Sequence, residues 1–187
     1  MEHKGTVRLE TERLILRRLA PEDAEAVYHN WASDGEVTRY LTWQPHESVE
    51  ASAAFIRRMT ELCQDPAAYN WGIELKDLGQ VVGTISVVHA EEDIDALELG
   101  WALGRAWWGR GIMPEAAERV LKFLFEEVGA NRIAARHDVD NPKSGRVMQK
   151  IGMRHEGTLR SSARNNRGIV DMEVYAILRE DDRPASP

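Results

Sequence analysis

The stretch "ELGWALGRAWWGRGIMPEA", residues 98–116, decides the reading of this chain. "LELGWAL" (97–103) reads as a strand, and Ile112, Ala116, Val120, Leu121, Phe125 and Val128 then recur at helical spacing until Gly129 stops the helix. A short loop carrying two Trp and Gly-Arg-Gly joins them. The first amides of a helix have no intrahelical partner, and the macrodipole adds partial positive charge there. Gly109 and Gly111 let backbone approach a diphosphate closely, and Arg110 adds a full charge. Pro114 falls in the first helical turn, where its missing N–H costs little. Together these make an anion cradle. On these residues alone, a plain strand-to-helix turn using Gly for backbone freedom is the simpler reading.

The rest of the chain sets the frame. Its 187 residues are enough for one domain with a proper core, expected over 1–180, with "DDRPASP" (181–187) as a frayed tail. Hydrophobic content of 43% and charged content of 29% suit a soluble globular protein. No stretch approaches the roughly 20 apolar residues that span a bilayer, and "MEHKGTVRLE" holds no apolar signal core. Cys63 stands alone, so no internal disulfide forms, which suits the cytoplasm. A net charge of −7 argues against nucleic acid as a partner. The charge is uneven: residues 1–100 hold 9 Lys and Arg against 19 Asp and Glu, the remainder 15 against 12. That split suits an enzyme joining a cationic substrate to an anionic cosubstrate, although chance surface charge gives the same tally.

Periodicity yields seven strands. "RLILRRL" (13–19) comes first, followed by a helix entered through Pro21 and a short helical turn in "SDGEVTRYLTW". Ser48 can cap a helix through "VEASAAFIRRMTELC", with Ala51, Phe55, Met59 and Leu62 on one stripe. "YNWGIEL" and "QVVGTISVVHA" are strands around the turn "KDLGQ", and the acidic run "EEDIDA" is a solvated hairpin loop before "LELGWAL". After the long helix, "RIAARHDV" is a strand and "NPKSGRVMQKIG" a short helix with Pro142 in its first turn. "MRHEGTLRSSA" and "IVDMEVYAILRE" close the chain around the turn "RNNRG". The strand–helix–strand unit predicts one parallel pair inside a largely antiparallel sheet, with helices on both faces.

Four separated stretches in this order resemble the GNAT (GCN5-related N-acetyltransferase) superfamily, and within it the RimJ/RimL group of ribosomal-protein N-acetyltransferases. They are "ETERLILRRLAPEDA" (10–24), "ELGWALGRAWWGRGIMPEA" (98–116), "DVDNPKSGRVMQKIGMRHEG" (138–157) and "NNRGIVDMEVYAIL" (165–178). The resemblance covers nearly the whole chain. It implies an α/β GNAT-type fold with a mixed, mostly antiparallel seven-stranded sheet. The family's pyrophosphate motif is Gln or Arg, two residues, Gly, one residue, then Gly or Ala. Here it begins at Trp108, passes Gly111 and ends at Met113. The RimJ/RimL-like group often carries an aromatic at the first position. Met113 is bulkier than the pattern, so its amide is expected to donate while its side chain points away from the phosphates.

The resemblance implies acetyl-coenzyme A as cosubstrate and no metal. It places acetyl-CoA in a cleft where the fourth strand parts from the fifth. Backbone groups of Trp101, Ala102 and Leu103 are expected to pair with the pantetheine arm. The amides of Gly109, Arg110, Gly111, Ile112 and Met113 take the pyrophosphate, and Asn141 holds the arm from the other side. Asn141 also reads locally as a helix cap.

Acetyl transfer to an amine needs a base for the ammonium proton, a donor for the oxyanion and a donor for the departing thiolate. Glu98 stands where RimL-like enzymes carry a glutamate, and alternation turns it away from Leu97 and Leu99 toward the substrate side. An ordinary carboxylate is a weak base, so it works best through a bound water or under partial burial. His89, on the preceding strand, is the rival base. Ser144 is the candidate thiolate donor, a backbone amide near Ala102 or Leu103 the oxyanion donor, and Tyr175 a core residue. Trp31, Tyr40, Trp43 and Trp71 could line the acceptor groove, but aromatics so spaced are more often core. The acids of 91–95 could attract a cationic terminus, although a solvated loop is simpler.

The leading expectation is therefore acetyl transfer to the α-amine of a protein N-terminus, in the cytoplasm, with a homodimer by family analogy. A small-molecule amine such as a polyamine or aminoglycoside is the alternative acceptor, and a non-catalytic acyl-CoA-binding module is a rival of another class. A nicotinamide-binding module is excluded, because Gly-Arg-Gly lacks a third glycine and no acidic residue follows at the right strand end.

Overall fold

A computed structural model of the chain describes residues 1–181. The expected tail over 181–187 lies outside them except for its first residue. The strands are β1 (Leu9–Glu10), β2 (Leu14–Arg17), β3 (Asn70–Leu75), β4 (Gln80–Glu91), β5 (Ala96–Leu103), β6 (Arg132–Asp138), β7 (Arg154–Asn165) and β8 (Gly168–Leu178). The helices are α1 (Ala24–Val27), α2 (Gly35–Thr38), α3 (Val49–Leu62), α4 (Ile112–Phe123) and α5 (Pro142–Lys150). One sheet of eight strands runs in the order β1-β2-β3-β4-β5-β6-β8-β7. The eighth strand corrects the expected seven. It is the two-residue edge strand β1, whose Leu9 and Glu10 pair with Leu16 and Ile15 and are too few to show a period.

Every neighbouring pair is antiparallel except β5 with β6. The connection from β5 to β6 runs through α4, as parallel strands require. One face packs on α4 through Leu97, Leu99, Ala116, Val120 and Ile133. The other packs on α1 and α3 through Val27, Ile56, Val81 and Ala102. All six periodic positions of the long helix are buried. Past Phe123 the chain loosens into a π turn and ends on Gly129 at φ 88°, a left-handed conformation open to glycine.

Ser48 caps α3 by accepting from the Ala51 amide at 3.3 Å, as its position predicts. The stripe on that helix is shifted from the expected one. Ser52, Ile56 and the following Cys63 face inward, while Leu62 is 53% exposed. Ser52 is polar and hides the true stripe from a hydrophobicity pattern. Its hydroxyl is satisfied by His46 Nδ1 at 2.8 Å.

Candidate active site

The parallel pairing of β5 with β6 lasts only from Ala96 with Arg132 to Leu99 with Ala135. Beyond it β6 continues against β8 to Asp138, while β5 continues against β4 to Leu103. The two strands therefore fork after Leu99, and Gly100–Leu103 has one free edge. The Gly104 amide donates to the Val82 carbonyl at 2.8 Å. Alternation then turns the backbone groups of Ala102 toward β4 and those of Trp101 and Leu103 toward the open side. The Ala102 carbonyl lies 2.4 Å from where a Cβ on Gly83 would stand, which places it on the β4 side. Ala102 is thus corrected: it lines the cleft without offering its amide or carbonyl to it. The indole of Trp108 also occupies the Leu103 carbonyl at 2.7 Å. The free backbone groups at this edge are the Trp101 amide and carbonyl and the Leu103 amide.

A cleft of about 560 Å³ opens from this edge. Of the residues read from sequence, Trp101, Ala102, Leu103, Trp108, Gly109, Gly111, Ile112, Met113, Asn141 and Ser144 line it; Glu98 and Arg110 do not. Gly109 and Gly111 hold φ of 74° and 76°, where any other residue is strained. Nothing stands within 4 Å of a Cβ placed on Gly109, so conformation rather than crowding requires glycine there. Gly111 caps α4 without a side-chain bond. Among the described residues, none of the five amides from Gly109 to Met113 donates to a carbonyl or side chain. Met113, in the first turn of α4, is 3% exposed and packs into the core. Its side chain therefore leaves the mouth of the cradle open.

The turn is held from behind by a residue the sequence reading missed. Arg13, immediately before β2, donates from Nη1 to the Arg110 carbonyl at 3.0 Å and from Nε to Glu115 Oε2 at 2.6 Å. Thr11 Oγ1 and the Arg13 amide both donate to Glu115 Oε1. Burial pushes the Glu115 carboxyl up, but Thr11, the Arg13 amide and the Arg13 guanidinium outweigh it and hold it below the usual carboxylate range. In a trans peptide C=O and N–H point in opposite directions. With the Arg110 carbonyl tied back to Arg13, the Gly111 N–H points away from Arg13.

The opposite wall is α5. Pro142 opens it, and Asn141 stands at its N-cap as read, but its side chain makes no capping bond and the residue lines the cleft. Lys143, Arg146 and Lys150 recur at i, i+3 and i+7, line the cleft and form no salt bridge among the described residues. Lys143 Nζ lies 4.0 Å from the Trp108 ring centroid and so spans the mouth. These three cations were legible as a periodic basic face in "KSGRVMQK", a signal hidden behind the motif around them. Close packing sets the height of α5: a Cβ on Gly145 would meet His137 Nε2 at 2.6 Å.

Glu98 sits on the other side of the sheet, just upstream of the fork. Its register partners are His89 on β4 and Ala134 on β6, and Arg136 Nε donates to its Oε1 at 2.9 Å. The two candidate bases are thus neighbours on one face rather than alternatives in different places. Trp31 and Trp71 are fully buried core residues and Tyr175 is buried, whereas Tyr40 lines the cleft and Trp43 packs against the α1–α3 core. The acidic loop 91–95 joins β4 to the start of β5, the end away from the fork, and spends Asp95 and Glu92 on Met1 and His3. Asn166 ties the loop after α2 to the β7–β8 turn, donating to the carbonyls of Thr38 and Trp43 and accepting from Gln44.

A forked parallel pair, a cradle of unpaired amides at one helix start and a basic helix opposite define an acyltransferase scaffold. The sequence matches the family described as "Acetyltransferase (GNAT) domain" over residues 13–154. It is 34% identical over 171 residues to the uncharacterized N-acetyltransferase YoaA of Bacillus subtilis, covering 91% of this chain and 96% of that protein. It is 24% identical over 157 residues to the ribosomal protein uS5-alanine N-acetyltransferase of Escherichia coli, covering 81% and 80%. The solved structure of RimL, a ribosomal L7/L12 α-N-protein acetyltransferase in complex with coenzyme A, superposes with a TM-score of 0.83 at 20% identity, over 94% of this chain and 100% of that one. The chain belongs to the GNAT acetyltransferase family and is an N-acetyltransferase. Among the described residues no helix is long and apolar enough to cross a membrane.

Proposed function

We propose that the enzyme transfers acetyl from acetyl-CoA to a primary amine, with the α-amine of a protein N-terminus as its acceptor. The observation that carries the cosubstrate is the cleft itself: the Gly109–Met113 turn, whose five amides are unpartnered and four of whose residues line the cleft, stands across about 560 Å³ from three α5 cations that form no salt bridge among the described residues. A diphosphate satisfies both walls at once. RimL, described as a ribosomal L7/L12 α-N-protein acetyltransferase, binds coenzyme A on the same fold, and the Escherichia coli relative is described as acting on an alanine of ribosomal protein uS5.

Acetyl-CoA supplies an activated thioester. The chain's own residues do the rest. Trp101 and Leu103 direct amides to the open edge, where they stabilise negative charge on the thioester oxygen. Glu98 takes the ammonium proton on the opposite face, directly or through a water, with His89 beside it. Ser144, at the start of α5, donates to the departing sulfur.

The test is thiol release from acetyl-CoA with a panel of peptides and amines. Glu98→Gln is expected to lower kcat by about 100-fold or more with the KM for acetyl-CoA little changed. Tight acetyl-CoA binding without acceptor-dependent thiol release would overturn the enzymatic reading and leave a binding module. Full activity in Glu98→Gln with loss in His89→Gln would move the base to His89.

A further inference from the structure

The fork carries a second group that no part of the acetyl-transfer chemistry calls for. Arg136 is the first residue of β6 past the last β5–β6 pair, so it stands where the strands separate. It shares a face with Ala134 and therefore with Glu98. Its contact with Glu98 is single: Nε to Oε1 at 2.9 Å. Among the described residues neither Nη group of Arg136 has a partner, and Oε2 of Glu98 has none. The Arg136 side chain is 37% exposed and that of Glu98 17%, so both can be reached.

A structural ion pair of Arg with Glu favours the bidentate, fork-to-fork arrangement, which uses two donors and both oxygens. This pair leaves half of each group open, side by side where β5 and β6 separate. One open carboxylate oxygen accepts from an ammonium. The two open Nη groups of the guanidinium donate to a carbonyl or carboxylate oxygen close to that ammonium. An amine whose neighbouring carbon bears a carbonyl satisfies both; a polyamine offers no acceptor, an aminoglycoside offers hydroxyl and ether oxygens but no carbonyl, and both bring further positive charge against Arg136.

We propose that Arg136 is a specificity-determining residue that reads the carbonyl adjacent to the acceptor amine, so that the acceptor is an α-amino acyl group. The inference rests on Glu98 marking the acceptor side of the site. The α-amino acyl group comes from two sources, a peptide N-terminus and a free amino acid, and the acceptor panel separates them.

The test compares an alanyl peptide, free alanine, the matching amine without the carbonyl (isopropylamine) and spermidine, by thiol release, for wild type, Arg136→Met and Arg136→Lys. Wild type is expected to prefer the better of the two alanyl acceptors over isopropylamine by about 30-fold in kcat/KM, the size of one hydrogen bond to a charged group. Preference for the peptide assigns a protein N-terminus, and preference for alanine a free amino acid; either supports the role of Arg136. Arg136→Met is expected to collapse that ratio to about threefold or less through the acceptor KM, while the KM for acetyl-CoA moves less than about twofold. Arg136→Lys keeps the charge but not the fork, so it is expected to lose most of the preference as well, and it answers the question should the Met variant fail to fold. The proposal is overturned if either folded variant keeps the wild-type ratio, if all acceptors fall by one common factor, or if wild type favours spermidine. Wild type that releases no thiol with any amine refutes the transferase reading itself, and this one with it; a wild type active on all four acceptors without preference refutes this one alone.

Discussion

Replacing Arg13 by Ala is expected to weaken acetyl-CoA binding although Arg13 never reaches the cleft. The substitution removes the bond from Nη1 to the Arg110 carbonyl at 3.0 Å and the pair with Glu115 at 2.6 Å. Hydrogen bonds to charged groups contribute about 1.5–3 kcal/mol. Arg13 is 44% exposed, so solvent screening reduces this to roughly 1 kcal/mol. Once released, the 110–111 peptide is free to rotate, and the Gly111 amide must be reoriented each time the diphosphate binds. A cost of about 1 kcal/mol corresponds to a five- to tenfold rise in Kd. Isothermal titration with acetyl-CoA reads it directly. S-acetylpantetheine, which has no diphosphate, is the control: its KM is expected to be the same in wild type and Arg13→Ala. Equal weakening for both donors would mean general damage to the fold. No weakening for acetyl-CoA would mean that the turn keeps its conformation without Arg13, and the positioning argument would fall.

Other outcomes follow from the same geometry. Gly111→Ala forces a side chain into φ 76° with only Arg13 Nη2 near, at 3.5 Å; the strain is about 1–2 kcal/mol, read as a lower Tm and a raised KM for acetyl-CoA. Gly145→Ala drives a Cβ into His137, so α5 must lift with Asn141 and Ser144 on it; kcat/KM is expected to fall more than tenfold, and an unchanged rate would show that α5 is not held at its height by this contact. Removing cations in a Lys143→Ala, Arg146→Ala double variant is expected to raise the KM for acetyl-CoA and flatten its dependence on salt, checked by kinetics from low to high ionic strength. Asp138 gives a pH test. Burial pushes its carboxyl up, but the Asp140 amide, Asn165 and Arg167 outweigh it and hold it below the ordinary value of 3.8. A carboxyl depressed in the folded state stabilises above its unfolded value and loses that contribution as acid carries the protein through the lower folded value. Asp138→Asn is therefore expected to be about 2 kcal/mol less stable than wild type at neutral pH, with the gap closing below pH 3.8 in urea titrations.

The sequence by itself determined the order of elements, the α4 core stripe, the two glycine positions and the family, because each of these is written in local periodicity, backbone freedom or a contiguous motif. Ile112 through Val128 repeat every turn, and Gly109 and Gly111 stand where φ must be positive. Tertiary structure alone decided what sequence distance conceals. The pairing of Leu9–Glu10 needs a partner strand and has no period of its own. Which backbone groups of Trp101–Leu103 face the cleft depends on the β4 register, and that register removed Ala102. Arg13 and Glu115 lie about a hundred residues apart, and Glu98 and Arg136 nearly forty; no local pattern connects them. A side chain's chemistry is local, but its vacant hydrogen-bonding positions are set by whatever the fold brings beside it.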